Sequence, residues 1–194
     1  MNSAPLQLIL GLGNPGEQYA GTRHNLGFMA LETLASHYNI DLRLEKKAFN
    51  CRWGKIRLGS RNLILALPHT FMNLSGRTAR SLASYFQVEA EAIAAVHDDL
   101  DLEFGRIKIS VNRGGGGHKG VDSLRDHLGS DAFARLRLGI GRPLYGEAAD
   151  RYVLNSFYPE QKAALAGFLE NARQCLLVMI EEGPIAAMQV FNRR

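Results

Sequence analysis

An apolar run, Leu6-Gln7-Leu8-Ile9-Leu10, stops at Gly11-Leu12-Gly13-Asn14-Pro15-Gly16, and helical spacing of apolar residues does not begin until Leu26. A buried strand, a long loop and an amphipathic helix in that order are the opening of an open α/β sheet, where loops at the carboxyl ends of strands carry ligands. Four glycines and one proline fix the path of residues 11–25, because Gly permits positive φ and close backbone approach while Pro sets φ. This path presents Asn14, Tyr19, Arg23, His24 and Asn25. Thr22 is placed to cap a helix over residues 24–38. That puts His24 in the first turn, where the positive end of the dipole favours a neutral imidazole able to act as a base. Gly11-x-Gly13-x-x-Gly16 formally matches the dinucleotide fingerprint, but Gly21 intervenes before any helix opens. No nucleotide cofactor is therefore expected.

The strand-to-loop-to-helix pattern recurs. Residues 49–58 and 62–67 read as a hairpin around Gly59-Ser60-Arg61. The loop Pro68 to Gly76 then leads into a helix over 77–86 and offers Asn73, as a turn residue or as a site amide. Its Phe71 and Met72 read as core. Ala92 to Val96 is a short apolar strand ending in His97-Asp98-Asp99-Leu100-Asp101. The spacing matches neither an EF-hand nor a zinc pattern. It leaves three readings open: turn-forming acids, a hard-cation site, or one Asp orienting a histidine from another loop.

An alternating strand over 105–111 is followed by Asn112-Arg113-Gly114-Gly115-Gly116-Gly117-His118-Lys119-Gly120, a mobile lid or a flexible connector. It is not a Walker A loop, since Lys119 follows His118 and no Ser or Thr comes next. A helix over 121–128 and a strand over 135–140 complete the sheet. One long amphipathic helix then runs from Pro159 to Gly183-Pro184, and a short helical tail covers 185–191.

With 194 residues, 46% hydrophobic and without repeat or second composition, the chain fits one domain, 1–194, with a sizeable core. No apolar run approaches membrane-spanning length and no leader pattern opens the chain, so a cytoplasmic protein without membrane contact is expected. Cys51 and Cys175 lie far apart in apolar surroundings and read as free buried thiols. Residues 106–142 hold eight Lys/Arg (Arg106, Lys108, Arg113, Lys119, Arg125, Arg135, Arg137, Arg142) against three acids, within a chain of net charge +4. That is either a polyanion-binding face or a set of dispersed solvated charges.

Gly-Leu-Gly-Asn-Pro-Gly with Thr-Arg-His-Asn, Phe-Met-Asn-Leu-Ser-Gly, and His-Asp-Asp-Leu-Asp-Leu followed by the Gly-rich loop together resemble bacterial-type peptidyl-tRNA hydrolases, in order and along essentially the whole chain. The resemblance implies an α/β single domain with a twisted mixed β-sheet flanked by helices. It also implies cleavage of the ester between a peptide's carboxyl end and the terminal ribose of tRNA, recycling tRNA from stalled translation. His24 matches the family's base and Asp98 its orienting acid; Asn73 matches a substrate-binding amide, and Asn14 the residue that separates peptidyl from free aminoacyl esters. Tyr19 and Phe71 match positions around the terminal nucleotide, with Met72 beside them as a substrate contact. Lys108 and Arg137 match tRNA-holding positions.

Lys119 departs from the pattern, which usually has an asparagine there; an ammonium only donates where an amide also accepts. No metal or other cofactor is implied, peptidyl-tRNA is the partner, and a monomer without an obligate protein partner is expected. The absence of a Gly-x-Ser-x-Gly elbow favours attack by water. The alternative is a catalytically inactive RNA-binding relative, as occurs in the same superfamily.

Overall fold

The computed structural model describes residues 4–112 and 116–193. Its centre is a seven-stranded sheet in the order β2-β3-β4-β1-β5-β7-β6. These strands are β1 (Leu8–Gly11), β2 (Arg43–Glu45), β3 (Cys51–Leu58), β4 (Arg61–Pro68), β5 (Ile93–Asp99), β6 (Ile107–Val111) and β7 (Ala134–Gly139). The four central strands, β4, β1, β5 and β7, run parallel, while β2, β3 and β6 pair antiparallel at the edges. The sheet is thus mixed, as expected. The short edge strand β2 escapes sequence reading because three exposed or half-exposed residues carry no alternation.

Side-chain alternation divides the core. Ile9, Leu63, Leu65, Leu67, Ala94 and Val96 point into one layer, packed under α1 (Leu26–His37) and α5 (Pro159–Glu181). Leu8, Leu10, Ile64, Ala66, Ile93 and Ala95 point into the other, under α2 (Ser75–Phe86) and α3 (Lys119–Leu128). This period of two is what a strand buried on both faces requires. The short α4 (Ala149–Leu154), unexpected from the sequence, and α6 (Pro184–Phe191) complete the helices. Helix α5 is long and apolar enough to cross a membrane by length and composition alone. Its Phe168, Ala172, Cys175, Leu176, Met179 and Ile180 are instead part of the core. Cys51 and Cys175 are free and buried, and burial pushes both thiols up to about 12.

The chain leaves β1 toward β4 on one side and later returns to β5 on the other, so the carboxyl ends of β4, β1 and β5 form a topological switch point. Helix α1 starts against this junction. A Cβ on Gly27 would stand 2.2 Å from the Val96 carbonyl oxygen and 2.6 Å from that of Leu12. Only glycine lets the helix start lie this close to the strand ends.

Candidate active site

The expectation that Thr22 caps a helix holding His24 in its first turn is not met. Residues Arg23–Asn25 form a 3-10 turn, and α1 begins one residue later, at Leu26. The Thr22 hydroxyl turns back and donates to the Tyr19 carbonyl at 2.8 Å instead of capping. Asn25 breaks the helical register by turning its side chain onto Asn14. Its Oδ1 accepts from the Asn14 N–H at 2.8 Å and its Nδ2 donates to the Asn14 carbonyl at 3.0 Å. The His24 ring is therefore held by something other than a place in α1.

That something is Asp98. It sits near the end of β5, 2% exposed, with Oδ1 2.9 Å and Oδ2 3.1 Å from His24 Nδ1. A carboxylate can only accept, so Nδ1 carries the hydrogen and the Nε2 lone pair is left for the cleft that His24 lines. Of the three open readings of the His97–Asp101 cluster, the geometry matches the third in placement: an acid of the cluster lies within hydrogen-bond distance of a histidine from another loop.

A second imidazole, which the sequence reading passed over, completes the arrangement. His118 Nδ1 accepts from the backbone N–H groups of Gly120 at 3.2 Å and Val121 at 3.3 Å, capping α3. Those bonds require a lone pair on Nδ1. The hydrogen of the neutral ring is then on Nε2, which donates to Asp98 Oδ1 at 3.0 Å. Burial works to raise the Asp98 carboxyl, but its electrostatic attraction to, and hydrogen bonds from, the N–H groups of His24 and His118 override it and hold the group well below the usual carboxylate range.

His24, Asp98 and His118 offer three ligand atoms within 4.8 Å of one another. A metal on His118 Nε2 would need the hydrogen moved to Nδ1, against the two N–H groups that cap α3. The donor set therefore fits hydrogen bonding better than coordination.

Asn14 is fixed as firmly. Its Oδ1 accepts from the Met72 N–H at 2.8 Å, and since a backbone N–H can only donate, the amide cannot be reversed. Nδ2 makes no hydrogen bond among the described residues, and Asn14 lines the cleft, so it presents a donor there.

These groups open onto one cleft of about 870 Å³. Of the residues expected at the site, Asn14, Tyr19, His24, Phe71, Met72, Asn73, Asp98 and Lys119 line it. Phe71 is 58% exposed, which corrects its reading as core, while Met72 is buried. Asn73 is exposed on the 3-10 turn Met72–Leu74. Lys119 is the first residue of α3 and exposed.

Lys108 and Arg137 are brought together elsewhere. They face each other across β6 and β7, and neither lines the cleft. Arg137 Nε is tied to Asp99 Oδ2 at 2.6 Å, leaving Lys108 as the freer cation of the pair. The basic excess of 106–142 is likewise partly spent: Arg125 pairs with Asp122 and Asp126, Arg142 with Asp101, and Arg135 is buried. Arg106, Lys108 and Lys119 have no ion pair among the described residues. Arg113, and with it Gly114 and Gly115 of the expected mobile loop, lie outside those residues.

Arg23, read as presented by the first loop, is buried and turned toward α4 and α5. The sequence reading also missed Leu100, Asp101, Arg142 and the α4 residues Ala149, Asp150, Val153 and Leu154 as cleft walls.

Among the described lining residues there is no serine, threonine or cysteine. The cleft sets a histidine–carboxylate pair, of the kind that activates water in hydrolases, at the carboxyl ends of the parallel strands, so fold and site together point to a hydrolase built on an α/β sheet. Comparison with known proteins narrows that class.

The chain matches the family model described as peptidyl-tRNA hydrolase over residues 8–194, and it belongs to that family. A peptidyl-tRNA hydrolase of Citrifermentans bemidjiense is 43% identical over 188 residues, covering 97% of this chain and 98% of the relative. One of Shouchella clausii is 38% identical over 187 residues, covering 96% and 100%. The crystal structure of peptidyl-tRNA hydrolase from Acinetobacter baumannii superposes with a TM-score of 0.89 at 34% identity, covering 99% of this chain and 96% of that one. The hydrolase reading is thereby supported over the inactive RNA-binding alternative.

Proposed function

We propose that the chain hydrolyses the ester joining a peptide to the terminal ribose of tRNA by water attack, with His24 as the base. The observation that carries this is the bond between His24 Nδ1 and the buried Asp98 carboxylate, which leaves Nε2 open to the cleft. Nε2 takes a proton from a water as the oxygen attacks the ester carbonyl, and Asp98 stabilises the imidazolium that forms. The tetrahedral oxyanion accepts from the exposed Asn73 amide, a donor worth about 3 kcal/mol at such sites. Collapse breaks the bond to the ribose oxygen, which receives the proton back from His24. Water has then been divided between a peptide carboxyl and a free ribose hydroxyl.

Asn14 Nδ2 donates to the carbonyl of the first peptide bond. Tyr19 and Phe71 offer rings for the terminal base, and Met72 packs beside them. Lys119 and Lys108 meet phosphates, with Arg137 held in reserve by Asp99. A single domain acting as a cytoplasmic monomer, without metal, membrane or obligate protein partner, fits this reading.

The test is hydrolysis of an N-acetylaminoacyl-tRNA by the wild type and by His24→Ala. A loss of about 10²- to 10⁴-fold in kcat is expected for removal of a general base. An unchanged kcat in the variant would refute the assignment.

A further inference from the structure

The one guanidinium next to the proposed base does not face the substrate at all. Arg23 is 1% exposed, and its Cζ lies 3.8 Å from the ring centre of Tyr152 and 4.4 Å from that of Tyr158. Nη1 donates to the carbonyls of Tyr152 at 3.2 Å and Asn155 at 3.3 Å, and Nη2 donates to Gln161 Oε1 at 3.0 Å. The backbone follows the side chain: Arg23 N donates to the Asn155 carbonyl at 3.1 Å, and Thr22 bridges Ser156. Among the described residues no carboxylate forms an ion pair with it. Glu147, bonded to the Tyr158 hydroxyl, feels the Arg23 charge from beyond ion-pair distance, and a buried charge without an acid in contact costs stability unless its other contacts are specific. Here they converge on one junction, the carboxyl end of α4 and the start of α5 that follows it.

Helix α4 has six residues, too few to stand alone, and its last carbonyls need donors. Arg23 supplies one to Tyr152, beside the Asn155 N–H that Tyr152 also accepts, and donates to the C-cap carbonyl of Asn155 as well, together with a positive charge at the negative end of the helix. The same helix gives the cleft Ala149, Asp150, Val153 and Leu154. With Leu100, the helix's Ala149, Val153 and Leu154 are the aliphatic part of the lining, beside that helix's one acid Asp150, and aliphatic walls suit the acyl side of the ester rather than the nucleotide.

We propose that Arg23 is a positioning residue that holds α4 in place as the wall for the acyl portion of the substrate, so that it governs substrate affinity instead of the chemical step. This rests on the hydrolase reading above. Lysine cannot fork to two carbonyls and a side-chain oxygen while lying flat between two rings. Arg23→Lys is therefore expected to raise KM about tenfold for a tRNA carrying an N-acetylated peptide, the scale of a lost apolar contact. It should raise KM less for N-acetylglycyl-tRNA, with kcat and its pH profile unchanged and faster amide hydrogen exchange in residues 150–155.

Tyr158→Leu thins the same clamp without altering the segment before His24, and serves if Arg23→Lys does not fold. It should shift KM in the same direction, by less. A fall in kcat at constant KM, or a lowered Tm with both constants unchanged, overturns the proposal. An inactive wild type or an active His24→Ala would instead bring down the hydrolase assignment itself, so the two failures are distinguishable.

Discussion

Replacing Asn14 by aspartate should change what the cleft accepts at the amino side of the scissile residue. The native amide is locked by three bonds: Oδ1 receives the Met72 N–H at 2.8 Å, and the Asn14 backbone is gripped on both sides by Asn25. Only Nδ2 is offered to substrate, so a peptide carbonyl is matched while an ammonium, which also only donates, is not. Aspartate has the same shape and keeps the bond from Met72 through one oxygen, but its other oxygen then faces the cleft as a charged acceptor. A peptide carbonyl meeting it loses its partner and gains a repulsion, together about 2–4 kcal/mol, or about 30- to 1000-fold in kcat/KM. A free α-ammonium gains a charge-assisted bond of about 1.5–3 kcal/mol, roughly 10- to 150-fold. The assay is deacylation of one tRNA charged with the N-acetylated and with the free amino acid, at about pH 6.5 so that the amine is protonated. Asn14→Ala is the control, since it removes the donor without adding an acceptor: it should slow the blocked substrate and leave the free one unchanged. If Asn14→Asp behaves as Asn14→Ala does, with no gain on the free ester, the argument from amide orientation is wrong.

Two further outcomes follow from the charged and titrating groups. Lys119→Asn should leave kcat in place and make the fall of affinity with salt shallower by about 0.7 in the log–log slope, one phosphate contact to a single strand; an unchanged slope would show that Lys119 meets no phosphate. Burial, then the neighbouring His118, hold His97 well below its ordinary value of 6.5. The native state therefore refuses a proton that the unfolded chain takes, and below about pH 6.5 denaturant-measured stability should fall by about 1.4 kcal/mol per pH unit from this group. Asp98 adds nothing to that slope, because it is ionised in both states until the pH drops into the ordinary carboxylate range, where the unfolded chain begins to take the proton. His97→Gln should flatten the dependence; an identical slope in the variant would refute the assignment.

The parallel strands, the long terminal helix and the loops that carry the chemistry were all legible because each has a local cause: apolar runs of strand length, glycine and proline at the breaks, helical spacing after them. Boundaries were less so. The start of α1 moved to Leu26 because the Asn25 side chain bonds to Asn14, eleven residues back, and no propensity encodes such a contact. Helix α4 was missed for a similar reason: six residues show too little periodicity, and what stabilises them is an arginine more than a hundred residues earlier. His24, Asp98, Asn14 and Asn73 could be named because the family resemblance supplied a spatial pairing that residue spacing alone left open.

His118 was the costlier omission, and its position explains both the omission and the importance. In sequence it is one more residue of a glycine-rich loop. In space it uses Nδ1 to begin α3 and Nε2 to hold the carboxylate that holds His24. Protonating the ring would remove the acceptor that α3 needs, and rotating it would leave Asp98 with one donor instead of two. The end of the glycine-rich loop and the proposed water-activating pair are thus bound to a single tautomer of one side chain. A shift at the start of α3 is felt at Asp98 across one imidazole ring.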